Sequence, residues 1–300
     1  MKPKKPNYYN PQSQPSKKPF LHQSQKNQSQ NQQNKTTSWS DVSGWYNDYL
    51  KDEDNYQHKV ILPNFLRLLN IKDIDKKIDI LDLGCGQGFF IEKILETLDK
   101  KTAEKVNVHG VDLSLKLLDI ATQKFAENKI VSFKNTDASN LSYLKDKSID
   151  KVYSILALQN MNDIDKVTKE IKRVLKKDGR CLFVINHPAF RVPKESDWRY
   201  DTFVQKQGRV VYNYMSDKKY IIDMNPGRKA IGEKTEETIS FHHPLQYFAK
   251  IFNKHDFAIS RIEEWISHKK SEESARGKAE DDARKEIPMF MCLELVSVAK

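Results

Sequence analysis

The sequence predicts an α/β protein with a doubly wound, mainly parallel sheet. From residue 76 onward, short apolar runs of strand type alternate with amphipathic stretches of helical period. The first of these runs ends in three glycines at alternate positions, Gly84, Gly86 and Gly88, directly before a helical pattern. A sheet built from alternating strands and helices binds ligands at the carboxyl ends of its strands, so the glycine turn marks the predicted binding edge.

Composition and periodicity divide the chain into five predicted segments. These are a disordered Gln/Asn/Lys-rich tail at 1–38, a helical cap at 39–75, a strand–helix core at 76–188, a small α+β insertion at 189–243 and a carboxyl-terminal completion of the sheet at 244–300. The expected core strands are Ile78–Leu83, Val106–Asp112, Ile130–Lys134, Ile149–Ala157 and Cys181–Ile185.

Outside the core the pattern predicts further elements. In the insertion, Arg209–Tyr214 and Tyr220–Met224 look like two strands around a short turn. Two more strand-like runs follow, Ala258–Ile262 and Phe290–Val298. The highly charged residues 267–286 between them predict a mobile loop or a short helix.

The positive charge of the chain lies mainly in the tail. Residues 1–38 carry seven lysines and no acidic residue. The net charge of +10 falls to +3 for residues 39–300. Global charge is therefore weak evidence for a nucleic-acid partner. A solubilising tail is the favoured interpretation, and weak attraction of RNA or acidic surfaces is the alternative.

The sequence predicts a cytoplasmic protein without a membrane span or a metal site. No apolar run approaches the roughly 18–20 residues that a helical span needs, and the amino terminus lacks the apolar stretch of a signal peptide. Cys85, Cys181 and Cys292 are widely separated and form no CxxC pair. Buried free thiols in a reducing compartment are favoured over metal ligands or disulfides.

An acidic residue before the glycine turn narrows the ligand. Asp82 lies two residues before Gly84, at the carboxyl end of the first strand. A carboxylate there would repel the pyrophosphate that dinucleotide loops bind, and would attract an ammonium group. The spacing is also Gly-x-Gly-x-Gly rather than Gly-x-Gly-x-x-Gly. Both features favour S-adenosylmethionine, which carries an ammonium, a sulfonium and no phosphate.

Two more acidic residues follow later strands. Asp112 ends the second strand 24 positions after Gly88, where an acid can accept hydrogen bonds from both ribose hydroxyls. The alternative is a turn aspartate that caps the next helix. Asp137 follows the third strand and can meet the adenine amino group, although an ordinary loop aspartate would look the same.

These motifs together resemble the class I, Rossmann-like S-adenosylmethionine methyltransferases. The resemblance rests on four runs: Ile80–Gly88, Gly110–Ser114, Thr136–Ala138 and Leu175–Gly179. It covers residues 76–188 and is strongest to the bacterial small-molecule branch called methyltransferase type 11 or ubiquinone-biosynthesis-like. It implies a seven-stranded sheet whose last strand, Phe290–Val298, is antiparallel.

The resemblance also implies a cofactor site. The glycine loop would meet the methionine moiety, Asp112 the ribose, and Asp137 with Ala138 the adenine. The predicted cofactor-binding residues are Asp82, Gly84, Cys85, Gly86, Gly88, Asp112, Leu113, Asp137, Ala138 and Leu156.

The sequence specifies the methyl acceptor less well than it specifies the cofactor. The end of the fourth strand, Ser154–Gln159, lacks the Asn/Asp-Pro-Pro-aromatic motif and the Pro-Cys nucleophile of nucleobase-modifying enzymes. This argues against those chemistries and leaves other RNA methylation open. We expect a small organic acceptor, methylated at oxygen, nitrogen or carbon (EC 2.1.1.-). The alternative is an RNA or ribosomal-protein methyltransferase targeted by the tail. The sequence leaves the oligomeric state undetermined.

A catalytic base is needed only when the acceptor must lose a proton. His187 follows the fifth strand directly and His242 precedes a predicted helix, so both are candidate bases with structural roles as the alternative. The candidate substrate-binding residues are Tyr46, Tyr49, Gln159, Arg209 and Tyr214. Residues 189–214 mix arginines with aromatic residues, which suits an aromatic or carboxylate-bearing acceptor or the insertion's own small core.

Overall fold

The structure is a computed structural model that describes residue 39 and residues 43–71, 74–224 and 237–298. The predicted disordered tail at 1–38 lies outside the described residues.

A seven-stranded sheet forms the centre of the fold. Its strands are β1 (Ile78–Leu83), β2 (Val106–Asp112), β3 (Val131–Asn135), β4 (Ile149–Ile155), β5 (Leu175–Asn186), β10 (Phe257–Trp265) and β11 (Phe290–Ser297). They lie in the order β10-β11-β5-β4-β1-β2-β3. Only β11 runs antiparallel to its neighbours β5 and β10 in this sheet. The predicted doubly wound sheet with an antiparallel last strand is confirmed.

Helices cover both faces of the sheet. They are α1 (Ser43–Lys51), α2 (Leu62–Leu69), α3 (Phe89–Glu96), α4 (Lys100–Ala103), α5 (Leu115–Lys124), α6 (Ile164–Val174), α7 (Leu245–Lys254) and α8 (Ala275–Glu286). A π-helical turn, Gln57–Ile61, precedes α2, and a 3-10 turn, Leu158–Asn160, follows β4. None of the helices in the described ranges is long and apolar enough to cross a membrane.

Two apolar clusters arise because neighbouring residues of a strand point to opposite faces. Ile80 belongs to the cluster beneath α2 and α3, which includes Phe65 and Phe90. The next residue, Leu81, belongs to the cluster beneath α6 and α7, which includes Phe252. The continuous apolar character of the strands therefore reflects burial on both sides.

The insertion pairs its strands differently from the prediction. Its strands are β6 (Ser196–Asp201), β7 (Lys206–Val211), β8 (Lys218–Asp223) and β9 (Glu237–His242). β6 pairs with β7, and β8 pairs with β9, both antiparallel. The expected hairpin of Arg209–Tyr214 with Tyr220–Met224 is therefore wrong. Strand patterning does not specify a partner, and the Asp201 carboxylate closes the β6–β7 turn by accepting hydrogen bonds from the Phe203 and Val204 N–H groups.

Residues 267–286 were expected to hold a loop or a short helix, and they contain the 12-residue helix α8. Ser274 caps it by accepting a 2.9 Å hydrogen bond from the Gly277 N–H group. Arg276 of α8 lies over the ring of Tyr200, 5.7 Å from its centroid, so the helix packs against the β6–β7 hairpin.

Candidate cofactor and acceptor site

The glycine loop leaves β1 at the carboxyl edge of the sheet and is tied to β2. The N–H groups of Gly84 and Cys85 both donate to the Val111 carbonyl, at 2.8 and 3.0 Å. Gly84 has a φ of 77°, and a Cβ there would lie 2.4 Å from the Cβ of Ala157. At Gly86, by contrast, an added Cβ would meet nothing nearer than the Tyr46 ring at 3.8 Å. The loop is therefore closely packed at Gly84 and open at Gly86, where a ligand can approach the backbone.

Asp112 joins this loop to the start of α5. Its Oδ2 accepts a 2.9 Å hydrogen bond from the Gly86 N–H group, and its Oδ1 accepts a 2.8 Å bond from Ser114. Burial raises the pKa of Asp112, and these backbone donors oppose the increase. A carboxylate has about four lone-pair positions, so both oxygens can still accept hydrogen bonds from a ligand. The Ser114 hydroxyl caps α5 by accepting a hydrogen bond from the Leu117 N–H group.

Asp82 is a buried acid, 3% exposed, at the carboxyl end of β1, two residues before Gly84. Burial raises its pKa well above the usual range, the charge of Asp112 adds to this effect, and the Tyr153 phenol opposes it. The Tyr153 hydroxyl is near this carboxyl, but it has no partner of ordinary hydrogen-bond geometry. No lysine, arginine or histidine in the described ranges forms an ion pair with Asp82. A ligand cation at this position would stabilise the ionised form of Asp82.

The third predicted acid lies at the far end of the same edge. Asp137 is exposed, and its Oδ1 accepts a 2.7 Å hydrogen bond from the Ser139 N–H group. Ala138 beside it is buried, while the side chain of Leu113 is 54% exposed. The exposed side chain of Leu113, which directly follows Asp112, provides an apolar surface against which a nucleobase can pack.

The cysteines are free and buried, as predicted. Burial raises the pKa of the Cys85 thiol well above its usual range, and the charges of Asp82 and Asp112 raise it further. Cys85 therefore stays a neutral thiol beside the loop. Among the described residues, no group of three or more His, Cys, Asp or Glu side chains is arranged to hold a metal ion.

The carboxyl end of β4 lies next to the loop. Leu156 follows β4 with a φ of 54°, and its N–H group donates to the Val184 carbonyl at 2.7 Å. Gln159 accepts a 3.1 Å hydrogen bond from the Asn186 N–H group, which joins the ends of β4 and β5.

Tyr46 and Tyr49 of α1 face different charges. Burial raises the pKa of Tyr46, and the carboxylates of Asp82 and Asp112 raise it further. Burial also raises the pKa of Tyr49, but Lys269 and Arg191 oppose the increase. The Tyr46 hydroxyl is therefore near the two acids of the loop, and the Tyr49 hydroxyl is near basic residues.

The two candidate bases have different hydrogen bonds. His187 accepts a hydrogen bond at Nδ1 from Ala189, at 3.2 Å, and its Nε2 lies 2.7 Å from Glu264. Both of its nitrogens are thus engaged. His242 lies 2.8 Å from the Tyr214 carbonyl through Nε2, which must carry the proton because a carbonyl only accepts. Its Nδ1 makes no hydrogen bond within the described residues.

Burial is the main cause that lowers the pKa of both His187 and His242, although Glu264 opposes it at His187 and the Tyr214 carbonyl opposes it at His242. Both imidazoles are therefore neutral at pH 7.

Two predicted substrate-binding residues make structural contacts in the insertion. Arg209 donates to the Phe190 carbonyl at 2.8 Å and to the Ser196 hydroxyl at 2.9 Å, and lies 5.0 Å from the Trp198 ring centroid. The Tyr214 hydroxyl accepts a 3.1 Å bond from Leu245 at the start of α7. The acceptor roles of these residues and of Gln159 stay predictions.

Tyr56 and Arg191 are not among the predicted substrate-binding residues, although Arg191 is one of the arginines of residues 189–214 that suit a carboxylate-bearing acceptor. The Tyr56 hydroxyl lies 3.1 Å from the Ser267 hydroxyl, and its ring contacts Phe290 at a centroid distance of 5.5 Å. The guanidinium of Arg191 lies over the ring of Phe290 as well, 5.1 Å from its centroid. No local pattern distinguishes these two residues from other tyrosines and arginines, because their proximity depends on elements far apart in the chain.

The chain is similar to known methyltransferases. Residues 81–183 match the family model described as "Methyltransferase domain". The demethylmenaquinone methyltransferase of Lactobacillus johnsonii is 39% identical over 103 residues, which are 33% of this chain and 40% of that protein. The malonyl-[acyl-carrier protein] O-methyltransferase of a Marinomonas species is 34% identical over 125 residues, 42% of this chain and 43% of that protein. The matches thus span about two fifths of the length of these curated relatives.

The fold is also similar to that of solved structures. The S-adenosylmethionine-dependent methyltransferase from Mesorhizobium loti superposes with a TM-score of 0.57 and 23% identity, over 77% of this chain and 95% of that chain. At this identity the likeness concerns the fold. Residues 81–183 thus resemble a methyltransferase domain in sequence, and the chain has the Rossmann-like fold of the solved S-adenosylmethionine-dependent methyltransferase.

Proposed function

We propose that this protein transfers the methyl group of S-adenosylmethionine to a small organic acceptor. The observation that carries the proposal is the pair of acids, Asp82 and Asp112, beside an open glycine loop. Asp82 has no basic partner among the described residues and suits the ammonium of the cofactor. Asp112 retains lone pairs for the ribose hydroxyls.

The rest of the proposed cofactor position follows the sheet edge. Gly84–Gly88, with Cys85 among them, borders the methionine moiety, and Leu156 lies beside it. Leu113 would pack against the ribose and adenine, and Asp137 and Ala138 would also border the adenine. When bound, the cofactor supplies an electrophilic methyl group. The residues of this chain bind it, orient it and exclude water, which is most of what an in-line displacement needs.

The acceptor atom is left open among oxygen, nitrogen and carbon. The two relatives carry names with different acceptors, demethylmenaquinone in one and a malonyl group on acyl carrier protein in the other. These names support small acceptor groups and do not select one atom. The three free, buried cysteines suit the reducing cytoplasm, where we propose that the protein works.

If the acceptor must lose a proton, His242 is the better-supported base. The Tyr214 carbonyl fixes the proton on Nε2, so the lone pair of Nδ1 is free to accept a second proton. The strand that carries His242, β9, packs against the Leu158–Asn160 turn after β4. His187 is less suited because both of its ring nitrogens are engaged.

The test uses the full chain with methyl-labelled S-adenosylmethionine. It is incubated with small hydroxy, amino and acidic carbon compounds, and separately with total RNA and ribosomal proteins. We expect label in one or more small compounds, and none when Asp82→Arg places a cation against the cofactor ammonium. Asp119→Arg, an exposed position on α5, is the matched control. Labelling of RNA or ribosomal protein alone, or failure to bind the cofactor, would contradict the proposal.

A further inference from the structure

Arg191, in the loop after β5, is an arginine that the proposed cofactor position does not use. Its Nη1 donates a 2.6 Å hydrogen bond to the side-chain oxygen of Asn186. Its other guanidinium N–H groups make no hydrogen bond to the described residues, and no described carboxylate forms an ion pair with it. Four of its five donors are therefore available.

Within the described residues, no acid balances the charge of Arg191. Burial lowers its pKa to about 10, and the charge of Arg209 lowers it further. The Tyr56 and Tyr49 hydroxyls oppose this decrease. Arg173 shows the usual arrangement in this fold, with Asp146 at 2.7 Å and Glu170 at 2.8 Å.

A partly desolvated cation without an anionic partner is unfavourable, so its position suggests a ligand. Asn186 ends β5 and pairs in register with Phe290 at the start of β11. Arg191 contacts both residues and therefore lies at the carboxyl edge of the sheet, where this fold binds its ligands.

Hydrogen bonds connect Arg191 to the strand end beside the glycine loop. Asn186, whose side chain accepts from Arg191, also donates through its N–H group to Gln159 in the turn after β4. Ala157 directly precedes that turn, and an added Cβ at Gly84 would lie 2.4 Å from it. The guanidinium therefore lies at the end of β5, next to the strand end that borders the glycine loop.

We infer that Arg191 binds an oxyanion of the methyl acceptor, a carboxylate or a phosphate, so the acceptor is an acid. The inference rests on the proposed function and specifies its substrate class. The planar guanidinium matches either oxyanion with two parallel hydrogen bonds. Asn186 holds the guanidinium through the 2.6 Å hydrogen bond to Nη1, which leaves its other N–H groups for the oxyanion.

The experiment uses the full chain saturated with S-adenosylhomocysteine. Binding of benzoate, phenyl phosphate and neutral benzamide is measured by calorimetry. We expect at least one of the two anions to bind about tenfold or more tightly than benzamide. Whichever anion binds more tightly identifies the oxyanion. Arg191→Met should remove the preference, and Arg191→Lys should retain part of it. Arg199→Met, at an exposed position of β6, should leave it unchanged.

Three results would overturn the inference. The first is equal affinity of the wild-type protein for the anions and for benzamide, which needs no variant. The second is a folded Arg191→Met variant with its anion preference intact. The third is weaker binding of S-adenosylhomocysteine to Arg191→Met with unchanged probe binding, because the guanidinium would then serve the cofactor carboxylate. Failure of the proposed function would look different, since the wild-type protein would not bind S-adenosylmethionine at all.

Discussion

Replacing Asp112 with alanine removes a carboxylate that has two structural contacts and, in the proposed function, two ligand contacts. The ribose hydroxyls would lose a charged acceptor, which costs about 1–3 kcal/mol of binding free energy, or about 5–150-fold in affinity. The N–H groups of Gly86 and Ser114 also lose the partner that holds them at 2.9 and 2.8 Å. Burial raises the pKa of Asp112, so its removal also relieves a desolvation cost. We therefore expect the free energy of unfolding to fall by only about 1–3 kcal/mol.

Calorimetry with S-adenosylhomocysteine and urea unfolding measure the two effects separately. Asp112→Asn keeps one oxygen acceptor and should give an intermediate loss of affinity. Asp119→Ala removes an exposed acid from α5 and should change neither quantity by more than about 0.5 kcal/mol. A folded Asp112→Ala variant with wild-type cofactor affinity would refute the ribose assignment.

Three further outcomes follow from the site. Gly84→Ala places a Cβ 2.4 Å from Ala157 at a positive φ, so urea unfolding should show a loss of about 2–4 kcal/mol, while Gly208→Ala, with nothing within 4 Å, should not. Burial raises the pKa of Asp82, so cofactor binding should release protons and strengthen as pH rises; identical binding enthalpies in buffers of different ionisation enthalpy would contradict this. Burial lowers the pKa of His242, so the free energy of unfolding should decrease as pH falls below about 6.5, and His242→Asn should flatten that dependence in unfolding measured across pH.

The strands of the core could be predicted because burial on both faces leaves a continuous apolar run. Ile78–Leu83 and Val106–Asp112 begin and end where the pattern indicates. β5 begins at Leu175, six residues before its predicted start. The prediction began the strand at Cys181 because residues 176–180 are mainly polar and typical of a turn. Pairing in the insertion was wrong for a related reason, since alternation identifies strands and not their partners.

The positions of Asp82 and Asp112 at the sheet edge were predictable because both lie at the carboxyl ends of strands, β1 and β2, that the local sequence specifies. The role of Arg191 was not predictable, because what distinguishes this residue is that no acid in the described part of the chain pairs with it. Arg173 and Arg67 look similar in sequence, yet Arg173 pairs with Glu170 and Arg67 pairs with Glu263. Whether a charge is compensated is a tertiary property, and only the folded arrangement shows it.

The hydrogen bond from Gly86 to Asp112 links the two halves of the proposed cofactor position. A ligand that holds the Asp112 carboxylate also restrains the Gly86 backbone, which borders the other half. Adenosine and methionine should therefore bind with positive cooperativity, each favouring the loop geometry that the other requires. The intact cofactor should therefore bind more tightly than the separate affinities of adenosine and methionine imply. The covalent bond between its halves contributes to this affinity, and so does the coupling through the Asp112 carboxylate.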